Sequence, residues 1–169
     1  IDTVETSVGL SGRDSNSVVT RIAIWQSSLQ MMLDRPLSGV GMYMFRTAVS
    51  REPYQIEYYV ENNIPSPPHA HNEWLNIGAE MGVLGLLVYV SWQLTIIYMV
   101  WYGWKNGDKQ MKVVALASFG GLMAHAIYGL GDTIALWDRF QFILWWVVGL
   151  VGAQYVLVQM QSTENEKML

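Results

Sequence analysis

The chain is 169 residues long, with ten basic and fourteen acidic side chains, a formal charge of −4 and no cysteine. The lack of cysteine excludes disulfides and thiolate metal sites, and the mild acidity gives no reason to expect a nucleic-acid partner. Mean hydropathy is +0.20, an average over two unlike halves, since residues 1–80 are polar and turn-rich whereas 81–160 are overwhelmingly apolar.

An opening Ile1 reads as a fragment of a longer protein, and no signal peptide is legible. Residues 1–16, rich in Ser, Gly, Asp and Thr, read as a loop. Ser17 is placed as an N-cap, with a helix from Val18 to Leu33. Val18, Ile22, Trp25, Leu29 and Met32/Leu33 form its apolar stripe, and Arg21 sits on the border of that stripe, one turn from Trp25. Pro36 ends the helix, because proline disfavours helical geometry in the residue before it. Gly39-Val40-Gly41 follows as a tight turn.

Residues 42–66 read as irregular, except for a short amphipathic helix around Tyr54, Ile56, Tyr58, Tyr59 and Val60 that suits a membrane surface. Asn62-Asn63 and Pro65-Ser66-Pro67-Pro68 deliver the chain, extended, to His69. From Asn72 to Glu80 the pattern is helical again, with Asn72 as cap and Glu73 in the first turn. Gly78, Gly82 and Gly85 are expected to bend or break this helix.

Three uncharged stretches follow at 81–104, 113–131 and 140–160, each able to cross a bilayer, for which about 20 residues suffice. Lys105, Lys109 and Lys112 mark the first connection as cytoplasmic. The topology is then residues 1–80 outside, three spans, and a cytoplasmic tail at 161–169. The fold class is all-α and polytopic in the membrane.

The densest chemistry is His69-Ala70-His71-Asn72-Glu73, at the mouth of the first span. It has three readings. One imidazole, His71 ahead of His69, acts as a general base or orients an acceptor hydroxyl, with Asn72 or Glu73 in support. Alternatively, the pair binds a metal with Glu73 or Glu80, or is simply hydrogen-bonded at the interface. Arg21 is either a snorkelling surface residue or a phosphate clamp. Five arginines against nine acids in residues 1–80 mean that any phosphate site there must be local. His125 lies within the second span, in line with Ser118 and Asp132 at seven-residue steps; it is a functional group or an interhelical hydrogen-bonding one. Asp132, Asp138 and Arg139 share the outer side with His71. Gly120, Gly121, Gly149 and Gly152 read as helix-packing positions.

Two blocks resemble the O-antigen ligase and polymerase family. The first is Arg21-Ile22-Ala23-Ile24-Trp25 with Asp34-Arg35-Pro36-Leu37-Ser38-Gly39-Val40-Gly41 and Phe45. The second, about fifty residues later, is His69-Ala70-His71-Asn72-Glu73-Trp74-Leu75 followed by Glu80-Met81-Gly82-Val83-Leu84-Gly85. The resemblance implies a GT-C-like glycosyltransferase of the bacterial inner membrane that works without a metal or other cofactor. It implies a donor glycan on undecaprenyl diphosphate at the periplasmic face, and as acceptor a lipid A-core sugar, another lipid-linked glycan or a pilin hydroxyl. It places Arg21 on the donor diphosphate and His71 at the transfer step; from the residues themselves, His69, Asn72, Glu73, Arg35, His125, Asp132 and Arg139 are further substrate-binding candidates. It also implies a second arginine in an earlier periplasmic loop, and further transmembrane helices, that this chain does not contain. The competing classes are a lipid-linked glycan flippase, with His125 and Asp132 on its path, and a non-catalytic assembly subunit.

Overall fold

The computed structural model describes residues 11–133 and 141–167, and among them every regular element is an α-helix, with no strand. The helices are α1 (Ser11–Asp34), α2 (Phe45–Val49), α3 (Glu57–Glu61), α4 (Glu73–Asn106), α5 (Lys109–Tyr128) and α6 (Gln141–Lys167). Helices α4, α5 and α6 are long and apolar enough to cross a membrane, which makes this a multi-pass membrane protein. The chain forms two compact units, Ile1–Gly85 and Leu86–Leu169.

In the first unit α1 begins at Ser11, so Ser17 lies inside the helix instead of capping it. Its buried face also differs from expectation. Ile24, Ser27, Ser28 and Met31 point into the core, whereas Val18, Ile22, Leu29 and Leu33 of the expected stripe are exposed. Serine can take the inward face because both hydroxyls are satisfied. Ser27 donates to the Tyr54 carbonyl at 2.7 Å, and Ser28 donates back to Ile24 at 2.6 Å. The core gathers Ile24, Met31, Phe45, Val49, Ile56, Ala70 and Ala79. Residues 42–66 therefore hold a helix that periodicity did not show, α2, whose Phe45 and Val49 are buried, as well as α3 within the expected tyrosine-rich stretch.

The two glycine-rich blocks meet along their backbones. Gly82 in α4 has φ 66° and ψ −162°, a conformation outside the helical region, whereas Gly78 and Gly85 remain helical. In an unbroken helix the carbonyls of Ala79 and Glu80 would receive the N–H groups of Val83 and Leu84. Instead, Val40 N–H donates to Ala79 at 2.8 Å, Gly41 N–H to Glu80 at 2.9 Å, and Val83 N–H to the Pro36 carbonyl at 2.7 Å. The crossing is too close for side chains. A Cβ on Gly39 would lie 2.4 Å from the Ala79 carbonyl oxygen, and one on Gly82 would lie 2.6 Å from that of Pro36.

In the second unit Ile96, Val100, Ala115 and Val151 form the core, with Trp92, Met99, Leu122 and Val148 packed against it. Gly107 and Asp108 make the whole turn between α4 and α5, and Asp108 caps α5 by accepting the Met111 N–H at 2.9 Å. The close helix approach occurs at Gly103, where a Cβ would meet the Gln154 amide, and not at the expected glycines. Gly120, Gly149 and Gly152 have nothing within 4 Å of an added Cβ, and Gly121 makes only ordinary contact with Val147. Helix α5 ends at Tyr128, so Asp132 lies beyond it and the expected line through Ser118 and His125 stops short. Helix α6 continues to Lys167, through most of the expected tail. The expected outer loop at 132–139, with Asp138 and Arg139, lies largely outside the described residues.

Gly82→Ala combines a positive-φ backbone that essentially only glycine adopts, costing about 1–3 kcal/mol, with a clash against immovable backbone. It should lower the thermal midpoint of the purified protein by several degrees and raise its protease sensitivity. Gly120→Ala is the control and should be neutral or slightly stabilising. A Gly82→Ala protein as stable as wild type would show that the crossing is not needed.

Candidate functional site

The segment carrying the two histidines is held through one buried residue between them. Trp25 on α1 donates its indole N–H to the Ala70 carbonyl at 3.0 Å. From α4, the Asn76 Oδ1 accepts the Ala70 N–H at 3.0 Å. Ala70 is fully buried, so both of its polar backbone groups are tied to flanking helices and the imidazoles on either side are fixed by that pairing.

His71 adopts φ 49°, the left-handed region that non-glycine residues seldom enter and that clusters at functional sites. Its N–H donates to His69 Nδ1 at 3.3 Å, which leaves the ring proton of a neutral His69 on Nε2. The two rings meet edge-on, with centroids 4.4 Å apart and planes at 67°. Asn72 then caps α4, its Oδ1 accepting the Leu75 N–H at 3.0 Å, as its position before the helix implied. Glu73 is buried in the first turn, where a carboxylate is favoured by the helix dipole.

A polar relay runs inward from this segment. Asn76 Nδ2 donates to Glu80 Oε2 at 3.4 Å, and Glu80 Oε1 accepts the N–H of Phe45 at 3.0 Å. Glu80 is 3% exposed and both its oxygens are engaged, so it works as scaffold rather than as the metal ligand that one reading allowed. Asn76 and Glu80 were not singled out as a pair by the sequence. Their i, i+4 spacing just before an uncharged span was the available signal.

Arg21 lies one helical turn before Trp25, about 6 Å along α1, on the helix whose Trp25 is bonded to Ala70. Its side chain is exposed. Arg35 is elsewhere, since fourteen residues of helical rise put it about 21 Å farther along α1. There it neighbours the Tyr54 phenol, which burial and the adjacent Asp34 carboxylate push above its ordinary value while Arg35 opposes them. His125 and Asp132 belong to the second unit. His125 lines an apolar cavity with Gly121, Tyr128, Ile143 and Leu144. Asp132 accepts the Thr133 N–H at 2.9 Å and the Tyr128 hydroxyl at 3.5 Å. Arg139 lies outside the described residues.

The family profile described as O-Antigen ligase matches residues 2–90, which contain both glycine-rich blocks, Arg21 and the histidine pair. The chain belongs to the O-antigen ligase family. Among its relatives is a protein of Rickettsia conorii named "Putative polysaccharide ligase", 25% identical over 132 residues, which are 78% of this chain and 29% of the relative. Proteins of the same name in Rickettsia prowazekii and Rickettsia typhi are 25% and 24% identical over 145 residues, 86% of this chain and 32% of each. The chain thus spans about a third of the length of these polysaccharide ligases. In this member of the O-antigen ligase family, the matched region coincides with the first compact unit and the opening turns of the first span.

Glu80→Ala strands the buried Phe45 N–H and should destabilise the protein by about 1–3 kcal/mol. Glu80→Gln keeps an acceptor there and should retain most of the stability. Thermal unfolding of the pair separates a scaffold from a reacting carboxylate: equal stability of wild type and Glu80→Ala would remove Glu80 from the scaffold.

Proposed function

We propose that this chain is part of an inner-membrane glycosyltransferase. It moves a glycan from undecaprenyl diphosphate to an acceptor hydroxyl on the periplasmic face, in O-antigen or related surface polysaccharide synthesis. The observation that carries this reading is the Trp25–Ala70 hydrogen bond, which ties the helix bearing Arg21 to the segment bearing His71. The family membership supplies the class of reaction.

In the reaction, His71 accepts the proton of the acceptor hydroxyl as its oxygen attacks the anomeric carbon. The bond from that carbon to the diphosphate oxygen breaks, and the leaving diphosphate takes the electron pair. Attack from the face opposite the leaving group inverts the anomeric centre. Arg21 offsets the charge that grows on the diphosphate, which a planar guanidinium does through paired N–H donors. The second arginine of the diphosphate site is expected upstream of residue 1, as are the remaining spans. With cationic donors carrying the leaving-group charge, the reaction needs no metal. His69 orients His71 through their backbone-to-ring bond, while Asn72 and Glu73 fix the start of α4 beneath them.

Asparagine tolerates the left-handed backbone, so His71→Asn removes the base while sparing the fold. In full-length protein supplied with lipid-linked glycan and acceptor, His71→Asn should lower transfer by about 10²–10⁴-fold. Arg21→Ala should also abolish transfer, with membrane insertion unchanged for both, as judged by mass spectrometry of the product. Near-normal transfer by His71→Asn would remove His71 as the base. Movement of the lipid-linked glycan across a bilayer without a new glycosidic bond would indicate a flippase instead.

A further inference from the structure

Apart from the histidine segment, the first unit contains a concave site. Ser50, Gln55, Tyr59, Asn63 and Ser66 line a cavity of about 360 Å³, completed by Val60, Ile64 and Pro65. That volume is within the roughly 300–1,000 Å³ typical of small-molecule sites. The rim is held by the backbone, with Asn63 N–H bonded to Val60 at 3.1 Å and Ile64 N–H to Tyr59 at 2.9 Å. Asn63 takes φ 52°, which turns the chain sharply after α3.

The lining chemistry is neutral and two-sided. Amides and hydroxyls each both donate and accept, and the side chains of Gln55, Asn63 and Ser66 form no hydrogen bond with any described residue. Tyr59 is half-buried and packs on the core, so its ring is a rigid wall. No carboxylate or cation lines the cavity. The Arg46 guanidinium stands at the rim, its Nε donating to the Ser66 carbonyl at 3.2 Å. A phosphate would find no cation within the lining itself and only Arg46 at the rim, and a purely apolar ligand would strand the amides. A sugar matches both features, with hydroxyls that donate and accept around a ring whose C–H face lies against an aromatic.

We infer that the cavity formed by Ser50, Gln55, Tyr59, Asn63 and Ser66 is a carbohydrate subsite. It binds sugar residues of the glycan beyond the one that reacts, and so rests on the transferase reading above. Position follows from the chain: Ser66 is three residues from His69 and so at most about 11 Å from it, within the span of a short oligosaccharide. The bound sugars belong either to the donor or to the acceptor, and the same chemistry serves both.

The test uses full-length protein in detergent and oligosaccharides released by mild acid from the producing cell's own surface polysaccharide. Saturation-transfer NMR should show sugar-ring protons in contact with wild-type protein. The double variant Gln55→Ala with Asn63→Gly, which preserves the left-handed backbone, should weaken binding tenfold or more. In transfer assays the same variant should raise KM for one glycan substrate tenfold with kcat within twofold, and the substrate affected identifies the sugars as donor or acceptor. No wild-type binding, or equal binding by the double variant, would overturn the subsite. His71→Asn should bind the oligosaccharide like wild type. If His71→Asn also transferred glycan normally, the catalytic reading would fail while the binding result stood by itself.

Discussion

Everything in the first unit depends on the backbone crossing at Gly82. A helix approaching a membrane has no spare donors, so opening it there frees two carbonyls that must be satisfied at once. Val40 and Gly41 satisfy them, and Pro36 receives the N–H that the break releases. The glycines at 39 and 82 are needed because two main chains touch with no room for Cβ between them. This contact fixes the end of α1 against α4, and thereby the angle at which Trp25 meets Ala70.

From that frame the site is assembled by few bonds. Trp25, Asn76 and Glu80 do no chemistry in the proposed reaction, yet they determine where the imidazoles stand. The arrangement follows a general physical pattern: the histidines proposed to react lie on a short irregular segment, and rigid helices supply the precision. The relay through Asn76 and Glu80 to Phe45 links the histidine segment to α2, so positioning and core packing are not separate properties here.

The helical class, the three spans and the pairing of an arginine block with a histidine block were legible in the sequence, because uncharged runs and glycine- and proline-rich motifs are local signals. The inward face of α1 was not. Periodicity favoured Val18, Ile22, Leu29 and Leu33, whereas Ser27 and Ser28 are buried, and only tertiary partners for their hydroxyls make that possible. Helix α2 was hidden for a related reason, as five residues are too few to show a period. The glycines expected to pack helices gave way to Gly103, because close approach is determined by which side chain faces each glycine, here Gln154. Arg35 and Arg21 sit in one block of sequence, but helical rise alone parts them.

The pinning of Gly41 on α4 and of Ala70 between α1 and α4 makes residues 42–69 a closed excursion with both ends fixed. Phe45, Val49 and Ile56 root it in the core, Ala48, Tyr54 and Tyr59 pack against that core, Pro67 is buried, and most of the remainder stands at the surface. Closure entropy grows only slowly with loop length, so insertions, deletions and substitutions beyond those roots leave the anchored ends in place. Under the proposed function, such a protein can vary the residues around the cavity between Ser50 and Ser66 while keeping the histidine segment in place.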